Sequence, residues 1–337
     1  MNGRCLRSPL TGVQRYAHEV SKRLCHLDVM TPGARVVGPI GHLWEQIVLP
    51  SRLSRRELLW SPGNTGPLTV HRQVVTIHDI SPIDHPEWFS PAFAGWYGWM
   101  WPRLMRIVRL VIADSHHTRD RILGLGCISP DRVKVVHLGV DARFSPSDEG
   151  PDAPRFDLPC RRYLLALGSL EPRKNLGRLI AAWDRAVTHL PEDIWLVLAG
   201  ASNPRIFSDC GLATIPARVC LPGRIPDDQL PGLYRRAMGF LYPSLYEGFG
   251  LPPLEAMASG VPVLAANRTS LPEAVGEAAV LVDPTDTEEM AIGIRRLVAD
   301  ESLRARLRTA GLARAARFTW DLTAEKTWSL LAAAADD

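Results

Sequence analysis

The sequence has little excess charge, no paired cysteines and no long apolar run, and each shortage excludes something. Its 39 basic and 36 acidic side chains leave a net charge of +3 over 337 residues, so no nucleic-acid role follows from charge. Six cysteines, at positions 5, 25, 127, 160, 210 and 220, include no C-x-x-C pair. Neither a zinc site nor a disulfide framework is indicated, and a reducing, cytoplasmic compartment fits best. No apolar stretch reaches the roughly 18 residues of a membrane span, and MNGRCLRSPL has no signal-peptide core. Internal repeats are absent, as is a D-x-D followed by a metal-like cluster. The nearest approach to G-x-G-x-x-G, Gly124 to Ser129, ends a helix and lacks the third glycine, which argues against a dinucleotide-dependent oxidoreductase.

What is present is 46% hydrophobic content, enough for two cores, since single cores stop growing near roughly 250 to 300 residues. Short β-branched runs alternate with helical spacing, the pattern of an α/β protein with parallel sheets. The opening Met1 to Leu6 offers at most the stub of a first strand, and a truncated strand is expected there. Val13, Tyr16, Ala17, Val20 and Leu24 then mark a core-facing helix, with Thr11 and Gly12 before it as cap and close-approach glycine. Val74 to Ile77 runs into His78 and Asp79, a polar pair at the carboxyl end of a strand, where parallel sheets bind ligands. Residues Ser145 to Pro159, rich in proline and acid without apolar period, have linker composition. The expected organisation is a first Rossmann-like domain at 1–145, a linker at 146–161, a second Rossmann-like domain at 162–317 and a terminal helix at 318–337.

The stretch from Ser244 to Ala266 carries the most chemistry. EGFG places Gly248 and Gly250 where a backbone can approach a ligand. Pro252 and Pro253 start a short helix, expected over Pro253 to Ser259, and Gly260 ends it before a buried strand. First-turn amides from Leu251 to Glu255, with the helix dipole behind them, form a seat for an anion such as a diphosphate. Glu247 and Glu255 flank that seat, and neutral sugar hydroxyls suit them better than phosphate does. In the second domain the strand Tyr163 to Gly168 leads into a loop with Arg173 and Lys174 adjacent. These two cations could neutralise the charge growing on a departing diphosphate, with Glu171 orienting them.

E-x7-E followed by AMASG-P-V resembles the signature of family 4 glycosyltransferases, which are retaining and have the GT-B fold. The resemblance implies two Rossmann-like domains whose parallel sheets face across a cleft, with a C-terminal helix crossing back to the first domain. It implies that Glu247 holds hydroxyls of the donor hexose, that Glu255 holds the nucleotide ribose, and that the amides of Phe249, Gly250 and Leu251 face sugar and phosphates. It points to His78 for a contact with the reacting sugar, to Gly12 for the diphosphate, to Arg173 and Lys174 for the donor phosphates, and to Arg224 and Ile225 for the edge of the base. The chain departs from the pattern at Ser169, where some members carry the arginine, and at Leu138 of HLGVD, which stands at the first position of the family's N-G-V-D turn.

The activity this implies is retaining transfer of a hexose from a nucleotide diphosphate sugar to a glycan or lipid-linked saccharide, by front-face substitution and without a metal. GVQRY and EPRKN are similar to mannosyl- and rhamnosyl-transferases of surface-polysaccharide assembly, which favours GDP-mannose, with UDP- or dTDP-sugars close behind. A non-catalytic sugar-nucleotide or carbohydrate-binding protein of the same fold is the alternative. Trp88 to Arg109 holds four of the ten tryptophans and three spaced arginines. Two readings stand for it: packing within the first domain, or peripheral contact with the inner membrane face, where amphipathic rings and snorkelling arginines meet headgroups.

Overall fold

A computed structural model describes all residues except 9, 25, 26, 34, 35, 37, 55, 148–157, 159, 169, 170, 201–215 and 337. The chain divides into two units, Met1–Gly139 together with Phe318–Asp337, and Val140–Arg317. The division at Gly139 comes before the expected 145, and most of the expected linker lies outside the described residues.

The first unit is built on a parallel sheet of β1 (Leu59–Ser61), β2 (Gln73–Ile77), β3 (Leu110–Ala113) and β4 (Val133–Val135), in that order. Every residue of β1, β2 and β3 is buried, as expected of a parallel sheet covered on both faces. The expected stub of a first strand is an isolated parallel bridge from Asn2 to Met30, and the Asn2 amide also donates to the Trp60 carbonyl at 2.7 Å. Helix α1 (Gly12–Arg23) buries Tyr16, Ala17 and Val20, three of the positions its apolar spacing marks. Helix α2 (Pro91–Ile107) answers part of the question raised by the tryptophans: Met100, Trp101, Leu104 and Met105 are core, while Phe93 and Trp99 are exposed. Gly38–Leu43, Trp44–Val48 and Leu49–Ser51 make a continuous helical run whose middle section is π-helical. Pro50 accounts for that widening, because its ring cannot sit against the carbonyl four residues back.

The second unit holds six parallel strands, β5 (Arg162–Leu167), β6 (Ile194–Ala199), β7 (Val219–Gly223), β8 (Gly239–Tyr242), β9 (Val263–Ala266) and β10 (Ala279–Val282). They lie in the order β10-β9-β8-β5-β6-β7. The chain therefore builds outward from β5 in one direction, returns, and builds outward from β8 in the other. Between β5 and β8 the order reverses, and such a switch point opens a crevice at the carboxyl ends of the strands. Helix α3 (Leu176–Val187) covers one face with Leu179, Ile180 and Trp183 fully buried. Helix α4 (Leu251–Ala258) starts two residues earlier than its prolines suggest. A Schellman motif ends it: Gly260, at φ 75°, donates to Met257, and Val261 donates to Ala256.

The last helix, α5 (Trp320–Asp336), belongs to the first unit. Thr323 Oγ1 donates to the His137 carbonyl at 2.8 Å, and Arg109 donates to the Ala334 carbonyl at 2.6 Å. A Cβ on Gly139 would stand 2.2 Å from the Trp320 amide, so only glycine permits that approach.

Candidate active site

The residues singled out in the second unit converge at the switch point. Arg173 and Lys174 sit in the turn that follows β5, and Glu247 lies in the loop that follows β8, the neighbouring strand. Lys174 Nζ is 2.6 Å from Glu247 Oε1, and Arg173 NH1 is 3.3 Å from Oε2. Arg173 Nε also meets the Glu171 carboxylate, the orienting partner that the sequence suggests. The loop and turn are tied together, since the Leu245 amide donates to the Arg173 carbonyl at 2.7 Å.

Two side chains that the sequence reading passed over complete the cluster. Tyr242 ends β8; its hydroxyl accepts from Lys174 Nζ at 2.7 Å and donates to Glu247 Oε1 at 2.8 Å. Ser244 Oγ donates to the same Oε1 at 2.6 Å. Oε1 thus takes three donors, whereas Oε2 takes only Arg173 among the described residues, so Oε2 is the oxygen with room for a ligand hydroxyl. Lys174 has three N–H donors, and Tyr242 and Glu247 occupy two of them. The signal for Tyr242 was available: it is the last residue of a parallel strand, the same criterion that picked out His78.

Burial works to raise the Glu247 carboxyl. The Lys174 and Arg173 charges and the hydrogen bonds from Lys174 and Ser244 outweigh it and hold the group at about 2. Burial draws the Lys174 ammonium below its ordinary value, with Glu247 pulling the other way. Burial and then the Glu247 charge push the Tyr242 phenol well up, so it keeps its proton for donation.

Gly250, at φ 119° and ψ 54°, caps the start of α4. A Cβ there would lie 2.8 Å from Leu271 Cδ2, so packing and backbone both require the glycine. Phe249 and Leu251 are buried on either side, and Ser270 Oγ lies 2.8 and 2.9 Å from the carbonyls of Glu247 and Phe249, which share its one proton. Glu255 is buried and its Oε2 accepts from the Tyr234 hydroxyl at 3.1 Å. Arg224 is exposed and Ile225 half-buried, directly after β7 at the same carboxyl edge of the sheet. Ser169 lies outside the described residues.

The first unit gives a different picture of His78. The residue stands at the end of β2 as expected, but its side chain is buried and committed. Nδ1 is 2.6 Å from Asp114 Oδ2, Nε2 is 2.8 Å from the Pro62 carbonyl, and its backbone amide donates to Asn64 Oδ1 at 2.7 Å. Both ring nitrogens have partners inside the unit. A carboxylate and a carbonyl both accept, so the ring that suits them is the doubly protonated one. Burial lowers the His78 value, and Asp114 more than reverses it, giving a net rise. Asp114, at the end of β3, was not singled out in the sequence, although ADS after an apolar run satisfies the strand-end criterion too. Gly12 opens α1 with a Thr11–Gln14 capping box, and a Cβ on it would meet nothing within 4 Å. Among the described residues of the unit nothing requires a glycine there.

The descriptions "Glycosyl transferases group 1" and "Glycosyltransferase Family 4" match residues 158–314 and 58–144. The O-antigen chain mannosyltransferase B of Escherichia coli is 33% identical over 261 residues, 76% of this chain and 68% of that protein. The MMP alpha-(1->4)-mannosyltransferase of Mycolicibacterium hassiacum is 31% identical over 77% of this chain and 63% of its own length. The serotype-specific mannosyltransferase WbdA of Escherichia coli is 30% identical, and the chain spans only 32% of it. Among solved structures, Anabaena HepE in complex with UDP and glucose superposes with a TM-score of 0.72 at 19% identity, covering 96% of both chains. WaaG, a glycosyltransferase involved in lipopolysaccharide biosynthesis, gives 0.72 at 18% identity over 96% of this chain and 97% of that one. Two parallel-sheet halves of the GT-B kind, and a relative a third identical over most of its length, lead to one conclusion: the chain belongs to glycosyltransferase family 4.

Proposed function

We propose that the protein transfers a hexose, with mannose the first choice, from a nucleotide diphosphate sugar to a glycan or lipid-linked saccharide. The observation that carries this reading is the clasp of Glu247 by Lys174 and Arg173 at the switch point. A carboxylate held at about 2 stays ionised at any physiological pH and accepts hydroxyl donors through Oε2. The two cations beside it, with the first-turn amides of α4, suit the charge that a departing diphosphate gains. Mannose is favoured by the mannosyltransferases among the relatives, and GDP-mannose is the donor proposed.

In this reading the anomeric configuration is retained by front-face substitution. The leaving phosphate oxygen takes the proton of the acceptor hydroxyl as the glycosidic bond forms, and the protein contributes placement and charge stabilisation. Glu255 holds the ribose, Gly12 lets the diphosphate approach, and Arg224 and Ile225 edge the base. No metal takes part; activity lost with EDTA and restored by manganese would contradict this. An acceptor carried on a lipid places the enzyme at the cytoplasmic membrane face, with residues 88–109 as the contact.

The test is calorimetry with GDP, UDP, dTDP and ADP, followed by turnover with the sugar nucleotide of the tightest binder. Tight GDP binding and release of GDP from GDP-mannose with a saccharide acceptor are expected. Donor affinity with no nucleotide release for any acceptor would make the protein a binding module instead.

A further inference from the structure

We infer that Thr269 is a positioning residue of the transfer site: its hydroxyl, carried on a backbone held in a left-handed conformation, sets the place of Glu247 against the donor sugar. The inference rests on the reading of Glu247 given above. Thr269 is half-buried in the loop that follows β9, the strand beside β8, and its φ is 56°. The other non-glycine residues of positive φ among the described residues are Asn64, Asn175 and Arg218, so Thr269 is the one β-branched member of the group. Asparagine visits this region readily, whereas a branched Cβ crowds its own backbone there.

The work of the hydroxyl accounts for the residue. Thr269 Oγ1 donates to the Arg268 carbonyl at 2.8 Å, which fixes its proton and leaves its lone pairs to accept. The Glu247 amide donates to it at 3.3 Å. The stretch is anchored on both sides. The Arg268 guanidinium meets Asp283 at 3.1 Å and Thr285 Oγ1 at 3.2 Å, in the loop after β10. Ser270 Oγ lies against the carbonyls of Glu247 and Phe249. Between these anchors Thr269 cannot relax to an ordinary conformation without drawing Oγ1 away from Glu247. A turn that only joined β9 to the helix Leu271–Val275 would take glycine or asparagine here without strain. Backbone strain persists where surrounding contacts over-determine it, and it clusters at ligand sites. Glu247 is thereby fixed from two ends, its carboxylate by Lys174 and Arg173 and its main chain by Thr269. A shift of that main chain would carry Oε2, the oxygen left for a ligand hydroxyl, out of place, and misplacement by about 1 Å costs about 100-fold in rate.

Three variants test this. Thr269→Gly relieves the backbone and removes the hydroxyl, Thr269→Val keeps the branch and removes the hydroxyl, and Thr269→Ser keeps the hydroxyl. With GDP-mannose and a saccharide acceptor, the glycine and valine variants should lose about 10- to 100-fold in kcat. The serine variant should recover most of it, and all three should bind GDP as the wild type does. Melting separates placement from fold: Thr269→Gly should melt no lower than the wild type while its kcat falls. A further measurement needs no ligand. Urea unfolding of Thr269→Gly, Glu247→Gln and the double variant should be non-additive, because one residue holds the other; should GDP-mannose prove the wrong donor, this cycle decides alone. Full kcat in the glycine and valine variants beside an impaired Glu247→Gln would overturn the inference and leave the transferase reading standing. Additive stabilities, or kcat that falls only in step with melting, would overturn it as well. Transfer unimpaired in Glu247→Gln would instead remove the reading beneath it, and the inference with it.

Discussion

Lys174 Nζ stands 2.6 Å from Glu247 Oε1 while both contact the Tyr242 hydroxyl, closing a triangle of an ammonium, a carboxylate and a phenol beneath the switch point. Each member is fixed by the other two, so the geometry is set before any ligand arrives.

Replacing Lys174 with methionine keeps the length of the side chain and removes the charge. Glu247 would be left buried with Arg173, 3.3 Å away, as its one remaining cation among the described residues, and breaking a buried pair costs about 3 to 5 kcal/mol. A lower melting temperature and a fall of about 10²- to 10³-fold in kcat for glycosyl transfer are expected. Calorimetric melting and steady-state kinetics check both, and a stable variant with full turnover would remove Lys174 from the phosphate role.

The Glu247 carboxyl moves from an ordinary 4.5 to about 2 on folding. Its folded value is depressed, so the stability it contributes is present above the unfolded value and is lost as pH falls through the folded one. The shift corresponds to about 3 kcal/mol. In urea unfolding, wild type should exceed Glu247→Gln near neutral pH, and the gap should shrink steadily once pH drops below the ordinary carboxylate value. A gap that does not change with pH would contradict the ion pair.

For His78 the sign is opposite. A raised value means stability present below the ordinary imidazole range and lost as pH climbs through the folded value. Asp114→Asn removes the cause, so it should destabilise the unit by about 3 to 5 kcal/mol and return His78 titration to a lower pH. Imidazole nitrogen shifts followed across a pH titration read this directly: both ring nitrogens of His78 should keep their protons to a higher pH in the wild type than in the variant.

Gly12→Ala and Gly250→Ala separate fold from ligand. At Gly250 the positive φ and the close Leu271 should cost about 1 to 3 kcal/mol of stability. At Gly12 a methyl meets no neighbour, so melting should hold. Lost donor affinity in a Gly12→Ala protein of unchanged melting temperature would identify the approach of the diphosphate; unchanged affinity would retire Gly12 from the site.

Glu255→Ala should weaken nucleotide diphosphate binding by about 1.5 to 3 kcal/mol through lost charge-assisted hydrogen bonds, measured by titration calorimetry. Tyr234→Phe removes the hydroxyl that steadies Glu255 Oε2 and should show a smaller loss in the same direction.

Period and strand-end position made much of this architecture legible. The apolar spacing of Leu176, Leu179, Ile180 and Trp183 specified the covering helix, and the EGFG bend with its prolines located α4 to within two residues. The criterion of polar residues after buried strands found Glu247, Lys174 and His78, yet it ranks positions, not side-chain directions. It could not tell that Lys174 turns toward Glu247 while His78 turns inward to Asp114, because those choices depend on partners far apart in the chain. Tyr242 escaped because it closes an apolar run and reads as its last core residue, whereas Asp114 meets the strand-end criterion and was passed over. The exposed Ile40, Leu43 and Ile47 were illegible in kind, since a helical apolar stripe in a sequence does not say whether protein covers it.

Gly139 and Trp320 touch, although 178 of the intervening residues form another unit. The larger half is thus spliced into the smaller, which receives its closing segment last. During synthesis the N-terminal half must wait, incomplete, until the ribosome has delivered α5. A stop codon just upstream of Phe318 would therefore injure the half encoded first and spare the one encoded next to it.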